Sequence, residues 1–186
     1  MTFADAIRTC FRKYVTFSGR ATRPEYWYFI LFLFLGGIVT STLDSILFGA
    51  SENLGVTHNV TTGESSTHVE VSSGDGPISA IFSLGTLLPM LAAGWRRMHD
   101  TGRSGLYLLY PILVWFGIGT FASFAGLTGP LLSGDFLTAF SGLVGIIMLL
   151  SVIVAILSPL IVIWWLTRPT QPGPNDFGPN PNEVSP

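Results

Sequence analysis

An all-α membrane protein, a bundle of four transmembrane helices, is predicted by three observations on this 186-residue chain. Charged side chains make up 11% of it and hydrophobic ones 48%. A soluble domain carries roughly a quarter charged residues, so a bilayer must be the solvent here. Four long apolar runs follow one another, at about 26–48, 78–95, 106–126 and 136–166. Finally, all nine Lys and Arg lie between Arg8 and Arg23, between Arg96 and Arg103, or at Arg168. Excess Lys and Arg beside spans stays on the cytoplasmic side, so both termini and the loop after the second span are expected there. Asp44, Glu52, Glu64, Glu70 and Asp75 then lie at or near the opposite face, and the net charge of −2 is uninformative as a sum.

The first element, within residues 1–20, reads as an amphipathic helix. Phe3, Ala6, Ile7, Cys10, Phe11, Tyr14 and Val15 recur at helical spacing, with Arg8, Thr9, Arg12 and Lys13 on the other face. Such a helix lies on a membrane surface with its basic side toward anionic headgroups, or packs on cytoplasmic loops. Cys10 is the chain's one cysteine, which excludes an intrachain disulfide. Thr22, Pro24 and Glu25 form a helix start, and Tyr26, Trp27 and Tyr28 supply an interfacial aromatic belt for the first span. That span is too long for a signal h-region, and Phe48-Gly49-Ala50 is a poor cleavage tripeptide, so no cleaved leader is expected.

The connection 51–76 is of another kind. Val56 to Thr61 and Thr67 to Val71 are β-prone runs flanking Thr62-Gly63-Glu64-Ser65, which predicts a small extracytoplasmic β-hairpin. His58 and His68 would fall near each other across it, with Glu70 nearby, but solvated polar groups are the expectation and no metal is assigned. Asn59-Val60-Thr61 fits the glycosylation pattern, which matters only in a pathway that glycosylates. The second span (about 78–95) contains Pro89, and the third covers about 106–126. As one helix the run 136–166 would be about 46 Å long, against a hydrocarbon core of about 30 Å. Its spanning part is placed at about 138–166, with a kink at Pro159 or outer turns lying in the interface. The tail 169–186 is dense in Pro, Asn and Gly and should lack regular structure.

Most reactive-looking side chains sit in the loop 96–105, which reads Arg96-Arg97-Met98-His99-Asp100-Thr101-Gly102-Arg103-Ser104-Gly105. Arg96, Arg97 and His99 complement a helix C-terminus, Gly102 permits a turn and Ser104 can cap the next helix. His99 and Asp100 are neighbours that would not face one another on a helix, so a catalytic dyad is disfavoured. Asp44 is an ionisable residue within a span, a functional candidate by default. It lies about 25 Å along the helix from Trp27, near the outer edge of the hydrocarbon, where a helix-end contact is expected rather than transport chemistry.

These residues carry a resemblance. Phe17-Ser18-Gly19-Arg20 through Arg23, Glu25, Tyr26 and Trp27, the Arg96 to Ser104 stretch, and Gly173, Asn175, Phe177, Gly178 and Pro181 together resemble the bacterial inner-membrane family called domain of unknown function 805. Asp44 matches an acidic position late in its first span. Met98, Phe177 and Asn180 depart from a common Leu, Tyr and Asp, and 51–76 is unusually long for the family. The resemblance implies a small multi-pass protein of the bacterial inner membrane and supplies no activity.

Topology would bring the matching blocks to one cytoplasmic face, with Glu25 or Asp100 pairing with an arginine and the tail folding over the loop. The cluster expected there is Arg20, Arg23, Glu25, Arg96, Arg97, His99, Asp100, Arg103, Ser104 and Asn175. Three uses stay open for it: structure, binding of an anionic headgroup or other phosphate, and catalysis on lipid headgroups, with the basic face as a whole binding lipid or partner proteins. The first two together are the expected role. The chain lacks a complete catalytic constellation, so it is not expected to be an enzyme or to need a cofactor. A small oligomeric transporter or channel is the alternative. Partners are then membrane lipids, a second copy of the chain or another membrane protein, with no nucleic acid. Small residues such as Ala122 with Gly126, and Ser141 with Gly145, could support helix packing.

Overall fold

The computed structural model describes residues 1–49, 51–58, 65–72 and 76–183, with side chains described for 1–49 and 76–183. It is mostly helical, and four of its helices are long and apolar enough to cross a membrane. Helix α1 (Phe3–Arg12) opens with a capping box, in which the Thr2 hydroxyl accepts from the Asp5 amide and the Asp5 carboxylate accepts from the Thr2 amide. Helix α2 (Arg23–Phe48) is capped by Thr22, whose hydroxyl accepts from the Glu25 amide at 3.3 Å.

Strands β1 (Ser51–His58) and β2 (Ser65–Ser72) pair antiparallel, Ser51 opposite Ser72. The first begins earlier than the β-prone run at Val56. His58 stands opposite Ser65 and His68 opposite Gly55, which corrects the expectation that the two histidines lie together across the ribbon. The Asn59 to Thr61 acceptor pattern and residues Thr62 to Glu64 of the expected turn lie outside the described residues.

Helix α3 (Pro77–Asp100) continues past the expected boundary at Trp95, so much of the motif stretch is its last turn. A 3₁₀ turn (Gly105–Leu109) leads into α4 (Tyr110–Phe124). Two short helices, α5 (Thr128–Leu132) and α6 (Phe136–Ala139), precede α7 (Gly142–Thr167). The fourth apolar run is thus interrupted at Phe140–Ser141, while Pro159 lies within continuous helix. Asp135 caps α6 by accepting from the Thr138 amide at 3.2 Å. Gly145 lies so close to the Phe140 backbone that no Cβ fits there.

Packing divides the helices into two pairs. Helix α1 lays Phe3 on Tyr28 and Phe11 on Phe29 and Phe32, with ring centroids 5.7–6.1 Å apart. It therefore packs against α2 through its buried Ala6 and Cys10. Phe32 of α2 meets Phe82 of α3 edge-on at 5.9 Å, and Gly36 leaves room for that ring. Ile118 and Ala122 of α4 pack with Met148 and Ala155 of α7. A second cluster joins the pairs, where Tyr26, Phe29, Ala93 and Met98 meet Val162 and Leu166. Large side chains elsewhere face outward, Phe34, Ile46, Phe116 and Leu157 among them, as expected where lipid is as apolar as the side chain.

Two prolines inside spanning helices each free a carbonyl one turn back, because proline has no N–H, and in hydrocarbon that carbonyl needs a donor. Pro89 frees Gly85, whose oxygen accepts from the Tyr14 hydroxyl at 2.6 Å. Pro159 frees Ala155, whose oxygen accepts from the Ser158 hydroxyl at 2.9 Å. The first of these bonds also ties the segment after α1 to the middle of α3.

Candidate functional site: a buried arginine cluster at the helix ends

The last turn of α3 carries Arg96, Arg97, His99 and Asp100, all buried. Three ion pairs hold Arg96, Arg97 and Asp100, with side chains no more than 5% exposed. Asp100 is the hub. Its Oδ1 accepts from Arg20 Nε at 3.0 Å, and its Oδ2 accepts from Arg97 and, at 2.8 Å, from the Thr170 hydroxyl. Its carbonyl accepts from the Gln171 amide at 2.9 Å. One aspartate thereby ties the segment before α2, the end of α3 and the tail after α7.

Each guanidinium then extends the joint. Arg20 donates to the carbonyls of Gly173 at 2.7 Å, Gln171 at 2.6 Å and Gly178 at 3.4 Å. Arg97 donates to the carbonyls of Leu166 at 3.0 Å and Arg168, satisfying oxygens that the end of α7 leaves open. Arg96 pairs with Glu25 in the first turn of α2, and among the described residues its Nε and Nη2 have no hydrogen-bond partner. Beside this pair, the Cys10 thiol contacts the Glu25 carbonyl at 3.9 Å. Burial, then the Glu25 charge, pushes that thiol up to about 11 against the opposing pull of Arg96, which disfavours the thiolate at neutral pH.

His99 and Asp100 have separate partners. His99 Nδ1 lies 3.1 Å from the Gly19 carbonyl, which requires the proton on Nδ1. Its ring stacks on Phe177, centroids 3.9 Å apart and planes 7° from parallel. Asn175 donates to the His99 carbonyl at 2.9 Å and accepts from the Phe177 amide, which aims that ring. Phe177 lacks a Tyr hydroxyl but keeps the stacking face. Asn180 donates to Glu183 at 2.8 Å, where an Asp would bring two carboxylates together. Glu183 also accepts from the Gly173 amide at 2.8 Å. These bonds hold its carboxyl below the usual range, so this clasp is complete above that range and is lost as pH falls through the lowered value.

The remaining predicted residues are less enclosed. Arg23 is exposed and donates to the Arg168 carbonyl at 2.8 Å. Ser104 accepts from the Leu106 amide at 3.4 Å and starts the 3₁₀ turn. Arg103 donates to the Thr101 carbonyl at 3.0 Å and lies over the Trp165 ring at 5.1 Å. Gly102 adopts φ +74°, and Gln171 occupies the space its Cβ would need.

Asp44 lies apart from the cluster. Its oxygens accept from the Ile78 amide at 3.0 Å, the Ser79 amide at 2.8 Å and the Ser79 hydroxyl at 2.6 Å. It therefore caps α3 across the helix pair, supplying what Gly76 at the N-cap lacks.

Sequence reasoning missed Thr170, Gln171 and the accepting carbonyls of Leu166, Arg168, Gly173 and Gly178. Carbonyls have no side-chain signature. The usable signal was the match between a surplus of arginines and a tail rich in Gly and Pro, whose carbonyls are free of helix.

A family model described as "Protein of unknown function (DUF805)" matches residues 14–179, a stretch that contains the whole cluster. The Escherichia coli (strain K12) inner membrane protein YhaH is 32% identical over 63% of this chain and 84% of its own length. The inner membrane protein YhaI of the same strain is 31% identical over 63% of this chain and 82% of its own. No solved structure matches the chain significantly.

Proposed function

For this chain, which belongs to the DUF805 family and is a multi-pass inner membrane protein, we propose a structural and interaction role without catalysis. The buried cluster closes the helix ends into one cytoplasmic plate, and the plate's exposed basic residues engage anionic lipid. One observation carries this reading. Arg20, Arg96 and Arg97 have carboxylate partners inside the protein, while Arg8, Arg12, Arg23 and Arg168 remain exposed. Exposed Lys and Arg near a surface of anionic lipid contribute about 1 kcal/mol each. Both carboxylate oxygens of Asp100 are engaged and His99 is stacked, which favours this reading over headgroup chemistry. The engaged oxygens of Asp44 favour it over transport.

In this reading both termini and the loop 96–105 face the cytoplasm and the 51–72 strand pair faces outward. Reporter fusions after Gly63 should then report the outside and fusions after Gly102 the inside. In bilayers containing phosphatidylglycerol the protein should melt at a higher temperature than in purely zwitterionic ones. That gap should shrink between 0.1 and 1 M salt, as the Debye length falls from about 10 to about 3 Å. Equal melting in both bilayers would remove the lipid-binding half of the proposal.

A further inference from the structure

We infer that Arg103 and Arg168 form a site for the phosphate of an anionic phospholipid, backed by the paired tryptophans at the end of α7. This rests on the lipid-binding reading above and assigns it to one place. Both arginines line a cavity of about 330 Å³ between the α3–α4 turn, at Thr101, and the strap 168–172, a volume at the low end of ligand sites. Arg103 lies over the Trp165 ring at 5.1 Å and Arg168 over the Trp164 ring at 4.9 Å. Tyr107 braces Trp165 edge-on at 5.4 Å. Each guanidinium is therefore held by an aromatic face, and apart from the Arg103 Nη1 bond to the Thr101 carbonyl its N–H donors have no partner among the described residues.

Charge decides the ligand class. Among the described residues neither guanidinium is within ion-pair distance of a carboxylate. The cavity lining contains no acidic side chain, and its other members are Thr, Pro and Gln. Thr101 and Thr170 already donate their hydroxyls, to the Met98 carbonyl and to Asp100, so the guanidiniums are the available cationic donors. Planar guanidiniums match phosphate oxyanions in geometry. The location favours a lipid over a soluble phosphate. Trp164 is 54% exposed at the end of a spanning helix, and tryptophan at such an end sits at headgroup depth. Arg168 is outside the sequence blocks that resemble the family, and only the fold brings it to Arg103.

The test is native mass spectrometry of the intact protein in mild detergent, titrated with phosphatidylglycerol, phosphatidylethanolamine or glycerol phosphate. The wild type should bind one phosphatidylglycerol preferentially, and Arg103→Gln with Arg168→Gln should weaken that adduct at least about tenfold. Thr120→Ala, on the exposed face of α4 and outside the cavity, should leave it intact. Arg168→Gln alone alters an exposed side chain with no hydrogen bond among the described residues, so it carries the test if the double variant fails to fold. Wild-type binding unchanged in both arginine variants overturns this site while leaving the broader lipid reading standing. Absence of any anionic-lipid preference in the wild type overturns both. Glycerol phosphate displacing the lipid at equal concentration overturns the lipid as the ligand.

Discussion

Asp100→Ala is expected to destabilise the protein by about 3–5 kcal/mol, the usual cost of stranding a buried charge. Here two arginines are stranded at once. Arg20 and Arg97 have side chains at most 1% exposed, and Asp100 is the carboxylate for both. Thr170 and the tail lose an anchor in the same step. At about 2–4 °C per kcal/mol for a chain of this size, a melting scan in detergent should move by roughly 6–20 °C. Asp100→Asn keeps an acceptor and should lose less. A shift below about 1 kcal/mol for Asp100→Ala would mean that the cluster is open to solvent.

The second large effect concerns Arg96 and Glu25, and the pattern of the response matters more than its size. Glu25→Ala leaves Arg96 buried without its one hydrogen-bond partner among the described residues, because Nε and Nη2 have none. A loss of about 3–5 kcal/mol is expected. Arg96→Met alone leaves Glu25 unpaired at 4% exposure and should also be costly. The pair Glu25→Leu with Arg96→Met should recover most of the loss, since a buried ion pair replaced by apolar groups of similar volume is often neutral. Additive losses in the double variant would indicate that the two groups do not rely on each other.

Much of this architecture is written in amino-acid pattern. The four apolar runs, the Thr22-Pro24-Glu25 start and the position of Asp44 follow from hydropathy, capping chemistry and rise per residue. Other features depend on approach distances that a single sequence does not encode. At the break at Phe140–Ser141 the Phe140 backbone approaches Gly145 more closely than any Cβ would permit, whereas the sequence pointed equally to Pro159. Tyr14 reads as one more apolar position of an amphipathic helix, yet its hydroxyl satisfies a carbonyl that Pro89 frees in another element. The grouping of the arginines at one face was legible, but which of them are enclosed was not. Arg96 and Arg97 are adjacent, and enclosure of their heads depends on a tail that looks structureless by composition. Turns at Gly173 and Gly178, a bridge between Asn175 and Gly178, and carbonyls directed at Arg20 give that tail a fixed course without helix or strand partners.

If the three motif blocks form one closed plate with the tail as its outer member, the tail's amides are protected, and hydrogen–deuterium exchange of the unmodified protein reads that protection. The amides of Gln171, Gly173, Asn175, Phe177 and Gly178 all donate within the plate. Peptides covering 170–180 should therefore exchange at least about tenfold more slowly than an unstructured chain. Exchange there at unstructured rates, with α7 still protected, would mean that the tail is not a member of the plate.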